Sequence, residues 1–188
     1  MPHIIGQTIY LREYRGSDLE LINKWRSLEE ITSWTAAYVW PESLEQTGAF
    51  LDAQLNNTDP ANRKFAICRK EDDQYVGHIG YEKLDLLHHS TELGIVIGEP
   101  QWLSKGMGAE AVQLFLKVCF DEMGLHRVGL YTLERNERAR RCYEKCGFKQ
   151  EGIVRECYFA QGRWQNFIAM SLLEPEYRAM AHPRDPQQ

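Results

Sequence analysis

Residues 91–123 restrict the fold more than any other stretch. Leu93, Ile95 and Ile97 alternate with Glu92, Gly94 and Val96, the period of a strand with one face on a core. A loop follows. Lys105-Gly106-Met107-Gly108-Ala109 then opens a helix expected over Gly106–Met123, with Ala109, Val112, Leu116, Cys119, Phe120 and Met123 on one face. Such a unit calls for a sheet with a helix laid upon it. The paired glycines leave backbone N–H groups uncovered at a helix start, where the dipole is positive and Lys105 adds a full charge, so phosphate oxygens fit there. Taken alone, K-G-x-G equally suits a turn that does no more than begin a helix. It is neither the GxxxxGK[ST] loop nor the GxGxxG loop, so nucleoside triphosphate and dinucleotide chemistry are not indicated.

The rest of the 188-residue chain supports one domain over 1–188, its core at about 7–175. Thr8–Glu13 alternates as a strand, with Ile9 and Leu11 on one face. Ser17-Asp18-Leu19-Glu20 reads as a capping box ahead of Leu21, Ile22 and Trp25. Pro41 suits the first turn of a second helix running to about Leu55. Phe65–Cys68, Tyr75–Tyr81 and Thr91–Ile97 form an expected antiparallel meander. Val128–Leu133 is a strand, Asn136–Cys146 a helix ended by Gly147, and two strands joined at Gln161-Gly162-Arg163 close the chain before a tail expected to fray. The order β-α-α-β-β-β-α-β-α-β-β gives an α+β class with a mixed, mostly antiparallel sheet.

Charge and cysteine content narrow the function classes. Against 22 Lys+Arg stand 27 Asp+Glu, a net charge of −5, which argues against a basic nucleic-acid-binding face. Within that total, residues 125–150 are locally basic, through residues 127, 135, 138, 140, 141, 145 and 149. No apolar run reaches the roughly 18 residues of a membrane span, and Met1–Gly6 does not read as a signal peptide. Cys68, Cys119, Cys142, Cys146 and Cys157 show no CxxC pair, so free thiols in a cytoplasmic protein are expected. His88 and His89, adjacent on a strand, would point to opposite faces, so no metal site is expected.

A second constellation is Asn136-x-x-Ala139-x-x-x-Tyr143-Glu144-Lys145-x-Gly147-Phe148. Asn136 sits at a helix start, able to cap it and still offer its amide, and Tyr143 lies two turns on along the same face. A tyrosine there fits either a core position or a proton donor to a leaving group. With the glycine turn, this element resembles the GNAT N-acetyltransferase superfamily, and residues 147–152 and 162–164 look like its ribosomal-protein and spermidine N-acetyltransferase branch. In the family's phosphate motif, Leu103 stands where a polar residue is usual.

The resemblance implies acetyl-CoA as co-substrate. Ile95, Val96 and Ile97 would bond the pantetheine arm through their backbone, Lys105, Gly106, Met107, Gly108 and Ala109 would hold the pyrophosphate, and Asn136 would contact the pantetheine or its acetyl end. Tyr143 would protonate the departing thiolate, and Glu92, fourteen residues before Gly106, would act as general base. No cysteine motif suggests an acyl-enzyme, so direct attack in a ternary complex on a polyamine-like or protein N-terminal amine is expected. Glu29, Glu30, Trp34, Tyr38 and Trp40 gather acids and aromatics suited to a cation, or else are core aromatics beside solvated acids. A CoA-binding module without turnover is the alternative, and homodimerisation is a family habit.

Overall fold

The structure, a computed structural model, describes residues 4–35 and 40–181. The expectations for residues 1–3, Tyr38 and the extreme tail lie outside the described residues. Strands β1 (Ile4–Ile5), β2 (Ile9–Arg12), β3 (Arg63–Arg69), β4 (Tyr75–Asp85), β5 (Ser90–Ile97), β6 (Arg127–Leu133), β7 (Lys149–Ala160) and β8 (Arg163–Leu173) form one sheet in the order β1-β2-β3-β4-β5-β6-β8-β7. Every pairing is antiparallel except β5 with β6. The helices are α1 (Leu19–Ser27), α2 (Glu29–Thr35), α3 (Leu44–Leu55), α4 (Met107–Lys117), α5 (Glu137–Lys145) and α6 (Glu174–Ala181). The expected α+β class and meander are present. Strand β1, helix α2 as a separate element and helix α6 are additions to the expected order.

Alternation within β3 assigns the two faces of the sheet. Ile67 joins the core under α4, with Ile79, Phe115 and Leu116, whereas Ala66 and Cys68 join a smaller core under α1 and α3, with Ile22, Trp25 and Leu51. Two helix starts depart from the local sequence signals. The Ser17–Glu20 box is not used: a 3-10 turn over Gly16–Asp18 precedes α1, and the Asp18 carboxylate accepts from the Arg15 N–H at 2.8 Å and from the Arg12 guanidinium at 2.7 and 2.8 Å. A buried cation has captured the carboxylate that local capping alone would not favour. Pro41 lies outside α3, which is capped by Ser43 and Gln46 in a reciprocal box. Helix α4 ends sooner than expected and continues as a π turn over Val118–Glu122.

The feature that positions the site is a partial pairing. Strand β5 keeps β4 as partner up to Ile97, and β6 keeps β8 up to Leu133. Between them the parallel pairing covers only Ser90–Glu92 against Arg127–Gly129. Beyond it the two strands diverge and leave a gap in the sheet.

At the open end of β5, α1 is fastened down. The Gly98 N–H donates to the Val76 carbonyl at 2.9 Å, Trp25 lies against Gly98, and the Trp25 indole N–H and Lys24 ammonium both reach Glu99, at 3.1 and 2.6 Å. A Cβ at Gly98 would fall inside the Trp25 ring system. Gly98→Ala is therefore expected to destabilise the fold by about 1–3 kcal/mol, the usual cost of overpacking, read as a lower urea midpoint with an unchanged slope.

Candidate active site

The gap between β5 and β6 opens into a cleft of about 1110 Å³, bordered by α2, the start of α4 and the length of α5. Since the Gly98 N–H points at β4, alternation along β5 turns the backbone groups of Ile95 and Ile97 the other way, toward the gap. Past Glu92 no strand pairs with them there. Unpaired main-chain donors and acceptors thus line one wall, suited to an extended ligand carrying amides. Ile95, Val96 and Ile97 all border the cleft.

Helix α4 starts at that wall. Gly106 is its N-cap with φ +86°, and no side chain caps the helix, so the first-turn N–H groups of α4 stay open to a ligand. The left-handed φ accounts for Gly106. Gly108 is different: a Cβ there would meet only Ile97 Cγ1, at 4.0 Å, so protein packing does not demand glycine. Gly106, Gly108 and Ala109 border the cleft, while the Lys105 side chain is exposed and Met107 packs on the core. Leu103, in the slot where a polar residue was expected, also lines it. From α5, Arg138, Arg141 and Lys145 add positive charge, although Arg141 is paired with Glu137 at 2.9 Å.

Asn136 is the α5 N-cap, its Oδ1 accepting from the Ala139 N–H at 3.2 Å. Its amide nitrogen is thereby left for a ligand, and the residue borders the cleft. Tyr143, two turns on, packs edge-on against Phe148 with centroids 5.8 Å apart and lines the same cleft. Burial pushes its phenol well above the ordinary range, so it stays protonated at any working pH. Cys142, beside it, also borders the cleft.

The other half of the cleft is lined by charges that already have partners. Glu82 and Glu92 stand directly opposite each other on β4 and β5, a like-charge pair that would be unfavourable alone. Lys64 pairs with Glu82, and the Lys83 ammonium donates to both oxygens of Glu92 at 2.9 and 3.0 Å. The bond to Glu92 raises the Lys83 pKa. On α2, Glu30 and Trp34 border the cleft, while Glu29 is exposed and does not. Arg135 lies 4.5 Å from the Trp34 ring centroid, donates to the Ser33 carbonyl at 2.5 Å and to Gln165 at 2.8 Å, so one aromatic surface expected to receive a cation already carries one. Trp40 is exposed and borders no part of the cleft.

Residues 8–149 match a family described as the Acetyltransferase (GNAT) domain. The chain belongs to the GNAT acetyltransferase family. It is 32% identical over 178 residues to the uncharacterized N-acetyltransferase p20 of Bacillus licheniformis, covering 94% of this chain and 99% of that one. To spermidine N(1)-acetyltransferase of Vibrio cholerae it is 28% identical over 175 residues, covering 92% and 97%. A crystal structure of spermidine N-acetyltransferase from Vibrio cholerae in complex with CoA and spermine superposes with a TM-score of 0.83 at 25% identity, over 92% of this chain and 99% of that one. The GNAT membership agrees with the resemblance carried by the two motifs, and the protein is an N-acetyltransferase.

Sequence reasoning missed Lys64, His78, Glu82 and Lys83 as cleft residues, and Arg135 as the cation that covers Trp34. The signal was available for His78 and Glu82, since period-two alternation sets 78, 80 and 82 of β4 on one face, but joining that face to β3 and β5 needs the register. His88 and His89 precede β5 in a turn rather than lying on the strand; His88 bonds Asp85 at 2.8 Å and His89 the Gly124 carbonyl at 3.2 Å. Among the described residues no cluster of three or more metal-ligating side chains occurs, and no helix is long and apolar enough to cross a membrane.

His78 has a measurable consequence of its own. Burial, aided by Lys64 and Arg26, depresses its pKa to about 3. The unfolded chain binds a proton on this imidazole below about pH 6.5 that the native chain takes up only near pH 3, so stability is lost as pH falls through that window. The slope approaches about 1.4 kcal/mol per pH unit, and His78→Gln should flatten the decline in urea-derived stability between pH 6 and 4.

Proposed function

We propose that this GNAT enzyme carries an acetyl group from acetyl-CoA to a primary amine, polyamine-like or a protein N-terminus, by direct attack with both substrates bound. It would act in the reducing cytoplasm with its cysteines free. One observation carries the reading: the bare start of α4, the unpaired backbone of β5 and the Tyr143 ring all border the same gap in the sheet.

The chain's residues fit the cofactor. Backbone N–H groups over Lys105–Ala109 would hold the pyrophosphate, joined by the cations of α5, and the open side of Gly108 leaves room for it. Along this stretch of β5 the backbone of Ile95 and Ile97 would bond the pantetheine amides at the unpaired edge, with Val96 between them bonded to β4, and the Asn136 amide would bond the pantetheine or its acetyl end. Acetyl-CoA supplies a thioester, an acyl group activated toward amines.

Attack requires a neutral amine, and an alkylamine is almost wholly protonated at pH 7. Glu92 accepts that proton, directly or through a water. Lys83, which now holds Glu92, is largely exposed; such an ion pair is weak, so the lysine can swing away when the ammonium arrives. Tyr143, kept protonated by burial, gives its proton to the sulfur as the thiolate leaves. Glu30 and Trp34 form the outer wall of the acceptor half, with Glu29 on its exterior.

Thiol release from acetyl-CoA over a panel of amines tests the assignment. Tyr143→Phe is expected to lower kcat by about 10²-fold or more, the usual worth of a positioned proton donor, with acetyl-CoA affinity unchanged. Glu92→Gln is expected to lower kcat/KM most steeply at the acidic end of the pH profile. Wild-type rates in both variants would remove these two roles, and acetyl-CoA binding with no thiol release from any amine would make the protein a CoA-binding module instead. Gly108→Ala should keep the melting temperature, because alanine is the better helix former, yet weaken acetyl-CoA binding about tenfold or more by calorimetry.

A further inference from the structure

His78 borders the cleft but has no part in the chemistry above. It is 7% exposed, and its Nδ1 is buried with no hydrogen-bond partner among the described residues. Leaving a buried polar atom unmet is costly in a sheet that could hold a valine there. Because the ring lines the cleft with Nδ1 on its buried side, Nε2 is the nitrogen a ligand can reach. The tautomer with hydrogen on Nε2 avoids stranding a buried N–H, the rarer and worse of the two unmet states. Residue 78 therefore presents a hydrogen-bond donor to whatever lies in the cleft.

The register shows where that donor stands. His78 is opposite Val96, Gly80 opposite Gly94, and Glu82 opposite Glu92, while Lys64 of β3 is opposite Gly80. Directly opposed residues share a face, so this floor is a pair of glycines with the two carboxylates at one end and the imidazole at the other. Lys64 lies over it, its Nζ 3.2 Å from where a Gly94 Cβ would be. An acceptor whose amine meets Glu92 runs along the glycines and sets a group several bonds away against His78.

In a polyamine that group is a second ammonium. An ammonium has donors only and cannot accept from an N–H. The surroundings oppose it as well: Lys64 and Arg26 both exert positive charge on the ring, and a face of Trp34 is already covered by Arg135. A carbonyl or hydroxyl oxygen meets none of these objections.

We propose that His78 is a specificity-determining residue of the acceptor half, donating Nε2–H to a neutral oxygen of the acceptor and selecting amide- or hydroxyl-bearing amines over polyamines. The proposal rests on the acetyl-transfer reading above. It departs from the substrate named for the Vibrio cholerae relative, and it assigns the difference to one side chain.

The test compares kcat/KM for three acceptors: an alanine-initiated tetrapeptide amide, pentylamine as an oxygen-free chain, and spermidine. Wild-type protein is expected to prefer the peptide over both by about tenfold or more, the worth of one hydrogen bond with a buried partner. His78→Leu should reduce that preference to within about twofold with the acetyl-CoA Kd unchanged, and His78→Gln, which keeps an N–H, should restore part of it. Should His78→Leu fail to fold, the wild-type ratios and His78→Gln still decide. Spermidine as the best wild-type acceptor, or a His78→Leu effect on acetyl-CoA affinity instead of acceptor choice, would overturn the proposal while leaving acetyl transfer intact. Acetyl-CoA binding without thiol release from any of the three amines would overturn both.

Discussion

Parallel pairing of β5 and β6 lasts three residues, to Glu92 and Gly129, and the cleft exists because it goes no further. Each strand retains its outer neighbour, so the sheet stays rigid on both sides of the break. The break itself exposes a row of backbone groups that a continuous sheet would consume. Such groups are costly when buried unmet, and the molecule leaves them beside a roomy space where a ligand can satisfy them. Helices α4 and α5 then present their N-terminal ends along the break, one with a bare first turn and one capped by Asn136. Under the proposed reading, cofactor recognition would be largely a property of main chain, which would leave few side chains to be specified for it.

The half of the cleft proposed for the acceptor follows the opposite rule. It is built from side chains, and nearly all of its charges are matched beforehand: Lys64 with Glu82, Lys83 with Glu92, Arg135 with Trp34 and Gln165. Pre-pairing keeps a crowded set of ions from repelling one another in the empty cleft. It also means that an incoming charge would have to compete with a resident one. The neutral imidazole of His78 stands apart from this set as a polar group with an unmet atom.

Legibility of the sequence divided along the same line. The meander, the α4 start and the Asn136–Phe148 element were readable because each depends on local periodicity and on glycine or capping chemistry within a dozen residues. The Ser17 box failed because Arg12, a buried cation outside that window, claimed Asp18 for itself. Helix α2, seven residues long, carries too little periodicity to announce itself, and its acids proved unequal, with Glu30 at the cleft and Glu29 outside. Lys64 and His78 are neighbours only across strands, and no spacing within the chain encodes that. The basic character of 125–150 is plain from composition, yet only part of the stretch borders the cleft: Arg127 is held by Glu151 and Lys149 by Glu176 on other surfaces.

The seat of Trp25 on Gly98 bears on how such a protein can change its preferences. Helix α1 is fixed to the same strand end that precedes the glycine turn before α4, by an indole with no room to slide and by the shared Glu99. Helix α2 begins two residues after α1 ends and so hangs from a fixed point, held at its far end by Arg135. If the proposed acceptor half is right, new acceptors could be accommodated by rewriting a seven-residue helix, a module whose remodelling leaves the strand and turn proposed for the acyl donor where they are. Diversification of substrate is thereby mechanically separated from conservation of chemistry.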